Sequence, residues 1–259
     1  MRVPRHIVDA RRERLRSLVR HDGFLPLAEI CRRLDISEAT ARRDLHAIES
    51  EGHIQRTYGG ALADYNSSFA SLGQRAKRSR SSKAAIARAT LAEVPGEGTI
   101  YLDAGTTILA LARLIGNRAR KGSLTVVTNS LAVASVLGGR GELMLHLLGG
   151  VYLHRQATLF GDTAVAALSH WHIDAAFLGA EGMDAQGIWN SHREVVRLQQ
   201  AVLARSTRSY VCLDASKLGR TTPHRVCGWD EGARLVTDAS AAALSRAGLA
   251  LEPSQLLLV

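Results

Sequence analysis

Between residues 9 and 50 the apolar positions recur at helical spacing in three separate runs. Leu15, Leu18 and Val19 share a face, with Arg11, Arg12, Arg14 and Arg16 around them, and His21-Asp22-Gly23 ends that run. Pro26, a residue suited to a helix start, precedes Leu27, Ile30, Cys31 and Leu34, which stand at i, i+3, i+4 and i+7. A tight Leu34-Asp35-Ile36 link leads to Ser37, whose hydroxyl can cap a third helix, and Glu38 suits the positive end of its dipole. Ala41, Leu45 and Ile48 form its inward stripe. After Gly52 the period changes: His53 to Gly60 alternates and closes on glycines, which predicts a small hairpin. Two helices joined by a short turn and followed by a hairpin predict a winged helix-turn-helix over residues 1–62.

Residues 63–82, ADYNSSFASLGQRAKRSRSS, are basic, Ser-rich and aperiodic, and read as a linker with room for a short helix. From Lys83 to Val259 the pattern alternates between helix and strand. Strands are predicted at 99–102, 124–128, 143–148, 174–179, 209–213, 234–237 and 255–258, with helices at 83–92, 107–115, 130–137, 162–170, 193–205 and 240–247. The fold class is therefore α/β, with a mostly parallel sheet covered on both faces in the 83–259 domain.

Charge sharpens the division. The net charge is +9, yet residues 91–259 are almost balanced, whereas residues 63–90 hold six basic side chains against one acidic. A basic end on a near-neutral body is fitted to a polyanion, and nucleic acid is the commonest one. Cys31, Cys212 and Cys227 are odd in number and widely spaced, as expected of reduced thiols rather than of a disulfide framework or a zinc site. The first residues lack the apolar stretch of a signal peptide, and no run approaches the roughly 20 apolar residues of a membrane helix. A cytoplasmic protein with no membrane partner is expected.

Two groups of residues carry candidate chemistry. On the third helix Ala39, Thr40 and Arg43 project from the opening turns behind Ser37, with Arg42 to one side and Arg56 on the hairpin. Thr40 and Arg43 are placed to meet base edges and phosphates in the major groove of double-stranded DNA, and Arg42 and Arg56 to hold the backbone. In the larger domain, small polar loops follow three strands: Asp103-Ala104-Gly105-Thr106-Thr107, Thr128-Asn129-Ser130 and Gly149-Gly150. Strand ends of this kind gather ligands, and a glycine and hydroxyls at a helix N-terminus suit phosphate. An enzymatic alternative remains open at this level, with Glu181, Asp184 or Glu194 as a proton carrier between adjacent carbons. No cofactor is expected, and His170-Trp171-His172 lacks a third ligand for a metal and is expected to border the core.

The segment from Ser37-x-x-Thr40-x-Arg42-Arg43-Asp44-Leu45 through Arg56-x-x-Gly59-Gly60-Ala61 resembles the signature of DeoR-type bacterial transcriptional repressors (the DeoR/GlpR family). Lys83 to Ala87, the Asp103–Thr107 loop, Gly161 and Asp214-Ala215-Ser216-Lys217-Leu218-Gly219 extend the resemblance over nearly the whole chain. It implies an effector domain folded like ribose-5-phosphate isomerase that senses a phosphorylated sugar or polyol, and a homodimer or homotetramer on operator DNA. It also implies that Gly105, Thr106 and Thr107 hold the phosphate, that Asp103 and Asn129 hold the hydroxyl end, and that Lys217 adds charge. Arg155 and Glu194 fall at further matching positions. Two departures stand out: Ala41 where a β-branched residue is common, and Leu198-Gln199 where many members carry a Lys-Arg pair. The resemblance implies a repressor of a carbohydrate or polyol catabolic operon, released from operator DNA by that effector; activation stays open, and the isomerase-like fold keeps a sugar-phosphate isomerase as the alternative.

Overall fold

The computed structural model describes residues 4–52, 54–57, 59–63, 70–118, 124–139 and 143–259. They fall into two compact units, Met1–Ser71 and Leu72–Val259.

The first unit runs α1 (Arg5–Asp22), β1 (Phe24–Pro26), α2 (Leu27–Leu34), α3 (Glu38–Glu49), β2 (Ile54–Thr57) and β3 (Gly60–Ala63). Leu15, Val19, Ile30, Ala41 and Ile48 are wholly buried and Leu27 and Leu45 nearly so, whereas Leu18, Cys31 and Leu34 of the expected stripes are half-buried. The α2–α3 link turns at Asp35, whose left-handed φ of 52° reverses the chain while its N–H bonds Cys31 O. The wing has three strands, in the order β1-β3-β2, and not two. Phe24–Pro26 is too short to show alternation, and it becomes a strand because β3 lies antiparallel to it. Gly60 makes that approach feasible, since a Cβ there would stand 2.2 Å from Leu25 O. The hairpin runs on to Ala63, three residues past the expected end; His53 and Tyr58 of that prediction lie outside the described residues.

The second unit opens with α4 (Leu72–Lys77) and α5 (Arg80–Thr90). Much of the stretch expected to be aperiodic is therefore helical; its residues 64–69 lie outside the described residues. There follow β4 (Gly98–Leu102), α6 (Thr106–Arg118), β5 (Leu124–Thr128), α7 (Leu131–Leu137), β6 (Met144–Leu147), β7 (Val151–Leu153), β8 (Thr158–Phe160) and α8 (Asp162–Ala167). Then come β9 (Ile173–Leu178), β10 (Gly182–Asp184), β11 (Gly187–Asn190), α9 (Arg193–Leu203), β12 (Ser206–Cys212), β13 (His224–Cys227), β14 (Ala233–Thr237), α10 (Ala241–Arg246) and β15 (Leu256–Leu258). Seven strands form one sheet in the order β15-β14-β12-β9-β4-β5-β6, with every neighbouring pair parallel.

Both faces of the sheet are covered, as parallel sheets require. Tyr101, Val127, Ala176 and Val211 pack into one core, and Ile100, Val126, Ala175 and Tyr210 into the other. Two small antiparallel features had no sequence signal, the β7–β8 hairpin and the β10-β11-β13 sheet. Cys212 and Cys227 are buried thiols, each pushed up to about 12 by desolvation, and Cys31 is half-buried and free. His170 and His172 are exposed and do not border the core; His172 Nε2 lies 3.1 Å from Thr207 Oγ1. From β4 the chain builds outward to β5 and β6, then returns to build the other half from β9. The crevice of such a reversal lies over the carboxyl ends of β4 and β9.

Candidate DNA-reading and effector sites

In the first unit the N-cap works as its sequence predicts. Ser37 Oγ accepts from Thr40 N–H at 3.4 Å and lies 3.0 Å from Thr40 Oγ1. Ala39, Arg42 and Arg43 are exposed. The Arg43 guanidinium folds back over the opening turn, donating to Ala39 O at 3.1 Å and to Thr40 Oγ1 at 3.4 Å. Thr40 and Arg43 thus form one outward surface, while Arg42 leans toward Glu38 at 3.4 Å. Arg56 donates its backbone N–H to Glu49 at 2.8 Å and pairs its guanidinium with the same carboxylate, which holds Glu49 below the usual carboxylate range. Sequence reasoning missed Asp44. It is buried on the inner side of α3 and bound by Arg11 at 2.6 Å and Arg12 at 3.0 Å, both from α1. Partners 32 and 33 residues apart leave no local signal.

In the second unit the loop after β4 carries the most constrained carboxylate. Asp103 is 1 % exposed. Its Oδ1 accepts from Ala104 N–H at 2.7 Å, and its Oδ2 from Gly179 N–H at 3.2 Å and from Gln199 Nε2 at 2.7 Å. Burial outweighs these bonds and the nearby Arg75 charge, and the carboxyl is pushed up to about 6. Gln199 also donates to Gly179 O at 2.7 Å and accepts from Asn190 Nδ2 at 3.2 Å. It is a neutral bridge between the ends of β4 and β9. Leu198 is wholly buried in the core, so the two residues that depart from the resembling pattern hold unlike positions.

Gly105 precedes α6, with open space where a Cβ would stand, and Thr106 and Thr107 are its first residues. The first amides of a helix lack intrahelical acceptors, so this turn can receive an anion. The next loop is more structural than its composition predicts. Thr128 Oγ1 donates to Leu102 O at 2.6 Å and accepts from Ser130 N–H at 3.1 Å, and Ser130 Oγ caps α7 at Val133 N–H. Asn129 donates to Thr158 Oγ1 at 3.0 Å and to Leu159 O at 3.2 Å, which ties the β7–β8 hairpin to this loop. Its Oδ1 is buried with no partner among the described residues. An unmet buried acceptor costs about 1–3 kcal/mol, which a ligand hydroxyl would recover. Gly150 has a φ of 133°, and a Cβ there would meet Phe160 O at 2.3 Å; it serves hairpin packing. Gly149 is exposed beside it, and Arg155 lies in the β7–β8 turn with its carbonyl bound to Leu72 N–H.

Lys217 ends the 3-10 turn Ala215–Lys217, capped by Asp214. Burial, then the Arg220 charge, bring its ammonium down to about 8, while Asp214 and Glu181 oppose that fall. Lys217 thus lies within reach of both cations, Arg220 and Arg75, and carboxylates, Asp214 and Glu181. Each of the residues considered as a proton carrier is engaged by another side chain or by backbone. Asp184 Oδ1 holds the β10–β11 turn by accepting from Gln186 N–H and Trp189 Nε1, each at 2.8 Å. Glu194 pairs with Arg197 at 2.7 Å, and Glu181 accepts from Ser191 Oγ at 2.6 Å. Among the described residues no group of three or more His, Cys, Asp or Glu is placed to hold a metal ion.

A winged helix-turn-helix joined in one chain to an α/β domain with a charged crevice over its strand ends defines a class: a ligand-responsive, DNA-binding transcriptional regulator. The chain belongs to the DeoR family, with residues 11–67 matching the DeoR-like helix-turn-helix domain and residues 78–239 the DeoR C terminal sensor domain. It is a regulator rather than an enzyme. It is 31% identical over 81% of its length to the HTH-type transcriptional repressor GlcR of Bacillus subtilis (strain 168), covering 80% of that protein. With the glycerol-3-phosphate regulon repressor of Escherichia coli (strain K12) it shares 29% identity over 78% of its length and 80% of the relative's. Among solved structures, ribose 5 phosphate isomerase A from Neisseria gonorrhoeae aligns with a TM-score of 0.38 at 16% identity, covering 52% of each chain. The chain thus spans about half the length of the isomerase structures it matches. Among the described residues no helix is long and apolar enough to cross a membrane.

Proposed function

We propose that this protein represses a carbohydrate or polyol catabolic operon from the cytoplasm and leaves its operator when a phosphorylated sugar or polyol binds the crevice. The observation that carries the reading is the union, in one chain, of a DeoR-like helix-turn-helix domain with a DeoR sensor domain. Ser37, Ala39, Thr40, Arg42, Arg43 and Arg56 form the DNA-reading set. Gly105, Thr106, Thr107 and Lys217 take the phosphate; Asp103 and Asn129 take hydroxyls, with Thr128, Ser130, Gly149, Gly150, Arg155 and Glu194 shaping the surround. Asn129's unpartnered Oδ1 supports a hydroxylated ligand. The protein acts as a homodimer or homotetramer, because paired recognition helices match repeated half-sites and each site alone binds weakly. An effector shifts repression only through unequal affinity for the DNA-competent and incompetent arrangements.

The test is a binding titration of the full-length protein on the DNA upstream of its own gene and on random DNA at physiological salt. Glycerol 3-phosphate, glucose 6-phosphate and ribose 5-phosphate are then added in turn. Preference for the upstream DNA, lost with one of these compounds and kept with its unphosphorylated counterpart, is expected. Equal affinity for both DNAs would overturn the regulatory reading; preference unmoved by any phosphate would overturn the effector reading.

A further inference from the structure

Helix α4 is the first helix of the sensor unit, and the β7–β8 turn and α5 hold it at three points. Leu72 N–H donates to Arg155 O at 2.8 Å. The Arg75 guanidinium donates to Gln156 Oε1. Lys83, a buried residue of α5, donates its ammonium to Arg75 O at 2.7 Å and to Arg78 O at 2.6 Å, completing the carboxyl end of α4. Arg155 and Gln156 lie in the turn between β7 and β8, the hairpin that holds Asn129. Gln156 is 5 % exposed, and its Nε2 donor is buried with no partner among the described residues. The Arg75 charge reaches both sides of the crevice, depressing the pKa of Asp103 and of Lys217. None of this was legible in the sequence, where Arg75 is one of several basic residues in a stretch read as linker.

We propose that Arg75 and Gln156 form a further part of the effector site, binding the anionic group of a phosphorylated sugar or polyol, and that through Arg75 occupancy sets the position of α4. The proposal rests on the reading of the crevice as the effector site. A guanidinium prefers a phosphate to a neutral amide oxygen, because a phosphate accepts two parallel charge-assisted hydrogen bonds where the amide oxygen offers a dipole. An anion over the α6 N-terminus would draw Arg75 away from Gln156 Oε1, and Gln156 Nε2 would gain the acceptor that it lacks. The Lys83 clamp ties the α4 backbone to α5, so movement of Arg75 between the hairpin and the ligand is carried by α4 as a unit. The chain runs from α4 through Ser71 into the DNA-reading unit, so a shift of α4 is transmitted covalently to that unit.

The experiment uses the full-length protein, Arg75→Gln, Arg75→Lys and the near-isosteric Gln156→Met. Glycerol 3-phosphate, glucose 6-phosphate, ribose 5-phosphate and inorganic phosphate are titrated by thermal shift, and amide exchange is followed over residues 72–82. The compound that stabilises the wild type is expected to change exchange in that segment. Arg75→Gln should raise its half-saturation concentration at least tenfold and abolish the exchange change, with partial recovery in Arg75→Lys and a similar loss in Gln156→Met. Binding that is unchanged in Arg75→Gln and Gln156→Met, or a wild-type complex with unaltered exchange over 72–82, overturns this inference and leaves the effector reading standing. A wild type that responds to none of the four phosphates overturns both.

Discussion

The two units of this chain treat charge in opposite ways. In the DNA-reading unit the charged side chains are exposed or half-buried, and the one buried carboxylate among the described residues, Asp44, is matched by Arg11 and Arg12 at hydrogen-bond distance. Charge there builds a rigid scaffold and presents a face. In the sensor unit Asp103, Lys83 and Asp214 are buried, and the Asp103, Lys83 and Lys217 pKa values are displaced by desolvation first. Charge there is held away from water in readiness for a partner. A polyanion such as DNA can be met by exposed arginines because its field is strong and extended. A small ligand needs groups whose desolvation cost is already met by the fold.

The largest expected effect tests the scaffold. Asp44→Ala should destabilise the first unit by about 3 kcal/mol, because it leaves two guanidiniums half-withdrawn from water without their carboxylate. Amide exchange across α1 and α3 in the full-length protein measures this, and wild-type protection there would refute the structural role. Nearly as large is the pH effect in the sensor. Asp103 binds its proton more tightly when folded, so its contribution to stability is complete below the unfolded value near 4 and is lost as pH rises through about 6. That loss amounts to roughly 3 kcal/mol at most. Thermal unfolding between pH 4 and 7 should show the decline, and Asp103→Asn should flatten it while lowering stability, since an amide cannot accept at both of its ends. A slope identical in the wild type and the variant would reassign the titration.

Smaller effects separate base reading from backbone holding. Arg43→Ala should weaken operator binding by about 2 kcal/mol and random DNA by much less. Equal losses on the two DNAs would remove Arg43 from the base-reading set. Arg56→Ala should cost about 1 kcal/mol or less, evenly across sequences, and lower the salt slope by about one. Glu49→Gln offers the converse: with its carboxylate partner gone, Arg56 should bind random DNA slightly more tightly at low salt, and no change would mean that the pair does not compete with phosphate.

Much of this architecture follows from local pattern alone. Leu15, Ile30, Ala41 and Ile48 repeat at helical spacing and are buried because one side of a short helix must leave water. Ser37, Gly105 and Thr106 mark helix starts because cap chemistry is local, involving atoms three or four residues apart. The seven parallel strands were readable because strands buried on both faces are short apolar runs divided by helices. What the tertiary structure alone decided is pairing across long separations. It joined Phe24–Pro26 to the wing, set Asp44 between two arginines of α1, and made Gln199 a bridge between Asp103 and Gly179, 96 and 20 residues away. It also turned part of an apparent linker into α4 and brought Arg75 to Gln156, 81 residues on. Hydrophobic period and capping are properties of neighbours in the chain, so one sequence displays them. The partners of a buried charge are chosen by whichever elements the packed core brings alongside it, and only the folded chain contains that choice.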